Sequence, residues 1–222
     1  MSNLRPQAVL FDLDGTLVDT APDFVRVLNE LRQQHGRPAL SYEQIRPAVS
    51  AGARAMVSLG FPEYSLDSHE FLQLRQAFLD NYGQNVCQDS QLFTGLETLL
   101  AGLETQGIPW GIVTNKPRIY SEALLSALGL AQRCAVLVCP DDVKNTKPDP
   151  EPMYLACQQL NIEPTQTVYV GDHLRDIQAG QNAQMTTIAV GFGYIVEGEN
   201  IADWQADYCV DSVDELIGLF AL

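Results

Sequence analysis

The chain has 222 residues, enough for one sizeable domain or for a domain that carries a smaller inserted one. Thirteen basic against twenty-eight acidic residues give a net charge of −15, and so negative a surface repels nucleic acid and anionic membranes. Its apolar runs fall far short of the ~20 residues that a membrane-spanning helix needs. We therefore expect neither nucleic acid nor a membrane as a partner.

The beginning of the chain and its cysteines predict a cytoplasmic protein. The first residues lead straight into a strand-like stretch, without the apolar region and small-residue cleavage site of a secretory signal. The five cysteines are odd in number and irregularly spaced, which suits neither a disulfide framework nor a zinc site. We interpret all five as buried, reduced thiols.

Short apolar segments rich in Val, Ile and Leu alternate with helix-period stretches along the chain. Near-continuous apolar strands are typical of a sheet that is buried on both faces. The alternation predicts a Rossmann-like α/β fold, with a parallel sheet in the middle of three layers. The predicted strands are 7–13, 108–114, 135–139, 167–171, 186–190 and 208–210, and the predicted helices between them include 94–106, 118–128, 152–160 and 173–183.

An insertion separates the first strand from the second. About 95 residues lie between Asp12 and Ile108, several times the length of an ordinary connection between a strand and a helix. The inserted part has helical patterns, so we predict an all-helical cap of residues 20–88. The α/β core would then consist of residues 1–19 and 89–222.

Two helices of the insertion have recognisable ends. Thr20 and Asp23 form a capping-box signature for the first helix, and Gly36 is predicted to stop it. For the second helix, Asp67 is the predicted N-cap and Gly83 the predicted end. Both helices carry apolar residues at three- and four-residue spacing, which predicts one buried face on each.

Polar side chains follow the first two predicted strands. Asp12 and Asp14 lie at the carboxyl end of the first strand, where open α/β sheets bind ligands, although two such acids can also form a simple turn. The second strand ends at Thr114 and Asn115, which offer a hydroxyl, an amide and free N–H groups at the start of the next helix. Such a helix start is a natural seat for phosphate.

The later strands are followed by cations and by further acids. Lys144 and Lys147 lie in a proline-braced loop, and the strand that ends at Gly171 is followed by Asp172 and Asp176. The order along the chain is therefore two acids, a hydroxyl, a lysine and two more acids, each at or just after a strand end.

This ordered set resembles the four motifs of the haloacid dehalogenase superfamily, over residues 8–192. The strings Val-Thr-Asn-Lys-Pro at 113–117 and Asp-Asp-Val at 141–143 look like the phosphoglycolate phosphatase group, which has a helical cap after the first motif. Some members of that group act instead on sugar phosphates such as N-acetylmuramic acid 6-phosphate. The resemblance implies a phosphatase that acts on a small anionic phosphorylated metabolite, without fixing which one.

The resemblance also implies the catalytic roles. Asp12 would be the nucleophile that forms a phosphoaspartate, and Asp14 the general acid and base, which calls for a raised pKa. Asp12, the backbone carbonyl of Asp14 and Asp172 would hold Mg²⁺, a hard cation that prefers oxygen ligands. Asp176 would orient a metal-bound water or Lys147 from behind.

The same resemblance places the phosphate ligands. Lys147, or less favourably Lys144, would neutralise the phosphate beside so many acids. Thr114 and the N–H of Asn115 would bind phosphoryl oxygens. Thr16 would fix the turn and the position of Asp14 by hydrogen bonding.

The remaining candidates have competing interpretations. Arg54 in the predicted cap is a candidate for substrate specificity, although an Arg on a short helix is as often an ion-paired surface group, and Arg46 and Lys116 are weaker candidates. His173 could tune the metal but fits better as a helix-start residue. Gln184 stands where many relatives have glycine, which would cost ~1 kcal/mol or more if the backbone is left-handed there.

The leading hypothesis is a Mg²⁺-dependent phosphatase that works through a phosphoaspartate, as a monomer or homodimer. A phosphosugar mutase shares the nucleophile, metal and cap, but such relatives tend to have Val in place of Thr16. A phospho-accepting receiver domain also pairs acids with a hydroxyl and a lysine, but receivers need no cap. An inactive binding module is disfavoured because every catalytic position is filled.

Overall fold

The computed structural model describes residues 4–220. Six strands form one parallel sheet in the order β5-β4-β1-β6-β7-β8, and two more form a separate antiparallel ribbon, β2-β3. In chain order the strands are β1 Ala8–Phe11, β2 Val18–Asp19, β3 Gln91–Leu92, β4 Trp110–Val113, β5 Leu137–Val138, β6 Thr167–Gly171, β7 Thr186–Val190 and β8 Tyr208–Val210. The predicted parallel sheet is confirmed, with β1 between β4 and β6.

The helices lie on both faces of this sheet and in one insertion. In chain order they are α1 Ala21–Gln34, α2 Tyr42–Ile45, α3 Gly52–Gly60, α4 His69–Gln84, α5 Leu96–Thr105, α6 Arg118–Ala127, α7 Glu151–Leu160, α8 Leu174–Asn182 and α9 Val213–Leu219. The four helices predicted between strands of the sheet correspond to α5, α6, α7 and α8.

Alternating side chains of β1 divide the core into two layers. Val9 and Phe11 pack with apolar residues of α5, α6 and α9, whereas Leu10 packs on the other face with residues of α7 and α8. Successive side chains of a strand point to opposite faces, so an apolar run on β1 serves both layers. The three-layer prediction is therefore confirmed.

Helices α1 to α4 form the insertion between β2 and β3. They bury a core of their own, in which Phe24, Leu28, Phe71 and Phe78 are almost inaccessible to solvent. The helical insertion is confirmed, while the division at residues 20 and 88 stays a prediction. The short ribbon of β2 and β3 joins insertion and sheet, and two-residue strands carry too little pattern to be predicted.

Thr20 holds the predicted N-cap position of the first insertion helix, but the predicted capping box is absent, and Asp67 is wrong as the cap of the second. The side chain of Thr20 makes no capping bond and donates instead to Asp14 Oδ1 at 2.6 Å. The second helix begins after Ser68, whose hydroxyl accepts the N–H of Phe71 at 3.2 Å, so Asp67 is not its cap. Ser and Asp are both good caps, and the sequence alone does not choose between neighbours.

Three predicted helix ends have different outcomes. Helix α4 continues through Gly83 to Gln84, so Gly83 does not stop it as predicted. Gly36 follows α1 with a left-handed φ of 67°, which agrees with its predicted role as a stop. Gln184 is also left-handed, with φ of 62°, so this chain accepts at the end of α8 the strain that a glycine would remove.

Two further expectations concern the burial of the cysteines and the ability of the helices to cross a membrane. All five cysteines are free thiols, but only Cys139 and Cys157 are buried, and Cys209 is exposed, so the prediction of five buried thiols is wrong. Among residues 4–220, every helix is too short or too polar to cross a membrane.

Candidate active site

The site lies at the carboxyl edge of the three central strands. β1 pairs with both β4 and β6, with Phe11 opposite Ile112 on one side and Val170 on the other. The residues that follow these strands are therefore neighbours: Asp12 after β1, Thr114 after β4 and Asp172 after β6, all buried. The sheet thus brings together three positions that lie up to 160 residues apart in the chain.

Lys147 is the cation at the centre of the buried acids. Its ammonium group lies 2.9 Å from Asp12 Oδ1 and 2.8 Å from Asp176 Oδ1, and it donates to the carbonyl of Val113 and the hydroxyl of Tyr169, each at 2.9 Å. Lys144 lies exposed in the same loop. The structure therefore places Lys147, and not Lys144, in this cluster.

The electrostatic surroundings of Asp12 favour its charged form. Burial by itself would raise the pKa of this carboxyl, but the charges of Lys147 and Arg175 and the hydrogen bond from Lys147 outweigh it, so the pKa lies below its ordinary value. Asp12 is thus an ionised carboxylate at the end of β1.

Three buried carboxylates form a candidate metal site. Oxygen atoms of Asp12, Asp172 and Asp176 lie within 4.8 Å of one another. Burial, and then the charges of Asp12 and Asp176, raise the pKa of Asp172 to about 7. One ammonium group does not balance three acids, and oxygen-only ligands suit a hard divalent cation, so the donor set fits a metal ion.

Asp172 is held in place from several sides. Thr16 donates its hydroxyl to Oδ1 at 2.9 Å, while the N–H of Tyr194 at 2.9 Å and the hydroxyl of Ser50 at 3.2 Å reach Oδ2. Thr16 therefore positions Asp172, and the prediction that it positions Asp14 by hydrogen bonding is wrong. Gly15 is required here, since a Cβ on it would lie 2.2 Å from Asp172 Oδ2.

Asp14 is held by a different pair of residues. Its Oδ1 accepts from the hydroxyl of Thr20 at 2.6 Å and from the ammonium of Lys116 at 2.9 Å. Lys116 is buried, and its ammonium lies 4.6 Å from the ring centroids of Phe24 and of Tyr82. Burial by itself would lower the pKa of Lys116. The interactions with Asp14 and Tyr82 raise it by a larger amount, so the pKa lies above its ordinary value.

A cavity of about 340 Å³ opens between this edge of the sheet and the helical insertion. Asp12, Asp14, Thr114, Asn115 and Lys116 line it from the sheet side. Helices α1, α3 and α4 line it from the insertion side. The volume is in the range of small-molecule sites, which are commonly clefts where two units of a fold meet.

The other sequence candidates occupy distinct places. Arg54 lines the cavity but is largely exposed and pairs with Asp67 at 3.3 Å. Arg46 donates to the carbonyl of Phe192 at 2.9 Å and stacks on the ring of Tyr194, away from the cavity lining. Asn115 donates its side-chain amide to the carbonyl of Lys147 at 3.1 Å, which fixes the lysine loop.

His173 is the N-cap of α8. Its Nδ1 accepts the N–H of Arg175 at 3.1 Å, and Asp176 Oδ2 accepts the N–H of His173 at 3.1 Å. Burial and the charge of Arg175 lower the pKa of His173 to about 4, so the ring is neutral. These contacts agree with the helix-start interpretation.

Sequence reasoning missed two residues of the site and undervalued a third. Arg175 lines the cavity and donates Nη2 to the carbonyl of Ser50, while its buried Nε has no hydrogen-bond partner among residues 4–220. Tyr194 holds Asp172, and Lys116 holds Asp14. Arg175 and Lys116 stand inside the polar motifs that follow β6 and β4, so their position was a signal, whereas nothing local marks Tyr194.

The comparisons with known proteins agree with this geometry. Residues 9–190 match the model of the haloacid dehalogenase-like hydrolase family. The chain is 49% identical over 217 residues to N-acetylmuramic acid 6-phosphate phosphatase of Pseudomonas aeruginosa, covering 98% of this chain and 96% of that one. It is 41% identical to phosphoglycolate phosphatase of Xanthomonas campestris pv. campestris, with 95% of each chain covered.

A solved structure shows the same fold. The structure of a predicted phosphoglycolate phosphatase from Haemophilus somnus superposes with a TM-score of 0.85 at 27% identity, over 96% of this chain and 97% of that one. The protein belongs to the haloacid dehalogenase-like hydrolases. Within that family it is a phosphatase of small phosphomonoesters, with a helical cap inserted into a parallel α/β core.

Proposed function

We propose that this phosphatase hydrolyses N-acetylmuramic acid 6-phosphate, with phosphoglycolate as the second candidate substrate. The observation that carries the proposal is the likeness to two Pseudomonas phosphatases of that name, at 49% and 46% identity over nearly the whole chain. The likeness includes the cap, which supplies more than half of the residues that line the cavity. Relatives named for phosphoglycolate are less similar, at 41% identity and below.

In the proposed mechanism Asp12 is the nucleophile and Asp14 transfers the protons. Asp12 attacks phosphorus in line, so that a bond forms from its carboxylate oxygen as the bond from phosphorus to the sugar oxygen breaks. Asp14 gives its proton to the departing alkoxide and then takes one from the water that hydrolyses the phosphoaspartate. Lys116 and Thr20 hold Asp14 in place for both transfers.

Lys147, Thr114 and Asn115 would receive the phosphoryl group. Lys147 already contacts Asp12, so its charge would offset the repulsion between the nucleophile and the phosphate dianion. The Thr114 hydroxyl and the N–H of Asn115 would donate to phosphoryl oxygens at the start of the segment that leads into α6.

The cofactor of the proposal is Mg²⁺. Asp12, Asp172 and the carbonyl of Asp14 would hold it, with Asp176 as a further carboxylate of the same cluster. When bound, Mg²⁺ would neutralise phosphoryl charge and so favour attack by an anion. Thr16, Tyr194 and Ser50 keep Asp172 oriented toward the cluster.

Replacement of the nucleophile tests the mechanism. Asp12→Asn keeps the size of the side chain but removes the attacking charge, so phosphate release from p-nitrophenyl phosphate should fall at least about a thousandfold. Asp203→Asn, an exposed acid outside the cavity, is the matched control and should keep full activity. Substantial turnover by Asp12→Asn would remove Asp12 as the nucleophile.

We further propose a cytoplasmic location, in keeping with five cysteines that form no disulfide. A monomer or a homodimer stays our prediction for the oligomeric state, and light scattering of the purified protein measures it.

A further inference from the structure

The charge of the cavity is opposite to that of the molecule. Four of the chain's thirteen lysines and arginines line it, against two of its twenty-eight acids. The cations are Arg54, Arg75, Lys116 and Arg175, and the acids are Asp12 and Asp14. A local excess of cations inside an acidic protein favours an anionic ligand, and the position of each cation decides which part of the ligand it can reach.

Three of the four cations already contact other groups of the protein. Lys116 pairs with Asp14, and Arg54 pairs with Asp67 at the surface. Arg175 donates to the cap at Ser50 and is near enough to Asp12 to lower its pKa, which places it at the phosphoryl end. Arg75 has no carboxylate within ion-pair distance among residues 4–220 and stands at the exposed mouth of the cavity.

One face of α4 connects Arg75 to the catalytic acids. Arg75, Leu79 and Tyr82 are spaced by four and three residues, share one face of the helix, and all line the cavity. Tyr82 is buried at the inner end, where the ammonium of Lys116 lies 4.6 Å from its ring centroid. With a rise of 1.5 Å per residue, the seven residues from Tyr82 to Arg75 extend about 10 Å outward.

We propose that Arg75 binds a substrate carboxylate that is remote from the phosphate. The inference rests on the proposed function and narrows it to phosphorylated sugars that carry an acid substituent. Their ring would lie along the wall made by Leu79, Tyr82 and Tyr120, because sugar faces pack on aromatic and apolar side chains.

The length of this wall discriminates between the two candidate substrates. In phosphoglycolate three bonds of about 1.5 Å join phosphorus to the carboxylate carbon, so the two charges are less than about 5 Å apart. That span covers only half of the wall. In N-acetylmuramic acid 6-phosphate eight bonds separate them, by way of ring carbons C5, C4 and C3, so the carboxylate would reach the outer part of the wall while the phosphate stays at the inner end.

The test compares two sugar phosphates that differ only in the lactyl ether at O3, which carries the carboxylate. N-acetylmuramic acid 6-phosphate carries the lactyl acid, and N-acetylglucosamine 6-phosphate has the same ring and phosphate without it. For Arg75→Gln, the ratio of kcat/KM for the first substrate to kcat/KM for the second should fall about ten- to a hundredfold, since a hydrogen bond between charged groups is lost. Arg75→Lys should retain part of the ratio.

A cap arginine outside the cavity is the matched control. Arg37 pairs with Glu63 on the surface of the insertion, and Arg37→Gln should leave the ratio unchanged. If the wild type prefers N-acetylmuramic acid 6-phosphate but Arg75→Gln keeps the ratio, the role of Arg75 is overturned and the proposed function stands. If the wild type prefers phosphoglycolate, the proposed substrate and the carboxylate inference both fall.

Discussion

At the scale of single residues, the site depends on how one buried ammonium group is shared. Lys147 is 3% exposed and contacts Asp12 and Asp176 together, so bulk solvent cannot take its place. A buried acid that loses its cation costs far more than a surface ion pair contributes. Lys144, three residues away, is exposed and provides a natural comparison.

Lys147→Met should therefore damage both stability and catalysis. We expect the free energy of unfolding to fall by about 3 kcal/mol, because Asp12 and Asp176 stay buried without their partner. Phosphate release should fall at least about a hundredfold, since the charge beside the proposed nucleophile is gone. Urea unfolding and a phosphate assay measure the two effects.

Lys144→Met is the control for this change, and it should alter neither quantity measurably. Equal losses in the two variants would mean that the loop as a whole, and not the buried ammonium, supports the site.

At the scale of elements, the first cap helix is fastened to the returning chain by one carboxylate. Asp23 on α1 accepts the backbone N–H groups of Asp89 and Ser90, each at 3.1 Å, as well as the Ser90 hydroxyl. Burial would raise the pKa of Asp23, but these bonds and the Arg26 guanidinium lower it below the ordinary 3.8. One carboxylate thus ties the start of α1 to the segment that leads into β3.

Asp23→Asn should weaken this connection between α1 and residues 89–90 in a pH-dependent way. The loss should be about 1–3 kcal/mol at pH 7, because the amide keeps the shape but offers one acceptor and no charge. The folded-state pKa is lowered, so the carboxylate adds stability above pH 3.8 and loses it as the pH falls through the folded value. The difference in unfolding free energy between wild type and Asp23→Asn should therefore shrink as the pH falls below 3.8.

Urea unfolding at a series of pH values measures this difference. Asp80→Asn on the exposed side of α4 should change stability by less than about 0.5 kcal/mol throughout. A gap between wild type and Asp23→Asn that stays constant down to pH 3 would contradict the assigned pKa shift.

A substitution at the end of α8 should raise, not lower, the free energy of unfolding. Gln184 is exposed and left-handed, so Gln184→Gly should raise the free energy of unfolding by up to about 1 kcal/mol without affecting activity. Gln178→Gly, at an exposed position inside α8, should lower it by about 1 kcal/mol. Two substitutions of the same kind with opposite signs separate backbone strain from side-chain loss, and a destabilised Gln184→Gly would refute the strain.

At the scale of the whole molecule, core and cap meet on the proposed metal ligand. Asp172 of the core accepts from Ser50 of the insertion, and Arg175 beside it donates to the carbonyl of the same Ser50. Tyr194 accepts the N–H groups of Thr20 and Ala21 with its hydroxyl, at 2.6 and 2.8 Å, where α1 begins. The position of the cap is therefore linked to the acids it covers.

Binding of a divalent cation should stabilise the whole fold. We expect Mg²⁺ to raise the melting temperature by about 5 °C at a hundredfold excess over its dissociation constant, because it relieves repulsion among buried carboxylates that exist together only in the folded chain. Scanning calorimetry measures the shift. Asp172→Asn should abolish it and Asp203→Asn should preserve it, whereas an undiminished shift in Asp172→Asn would place the ion elsewhere.

Most of the fold and the positions of the candidate catalytic acids follow from local pattern. The apolar segments predict the strands, and a parallel strand needs polar residues only where it ends, so Asp12, Thr114 and Asp172 stand out from the pattern of residue types alone. Helix periodicity identifies the long helices in the same way. These features are decided within a few residues of chain.

The tertiary structure alone decided which side chains meet. Thr16 binds Asp172 instead of Asp14, and Thr20 binds Asp14 instead of capping α1 with its side chain. Lys116 holds Asp14 from 102 residues away, and Tyr194 reaches Asp172 from beyond the last motif. Hydrogen bonds and ion pairs form over about 3 Å, and sequence spacing does not specify distances of that size between separate elements. The sequence by itself therefore determines the fold and the kind of chemistry, and packing of the cap on the sheet determines how each acid is held.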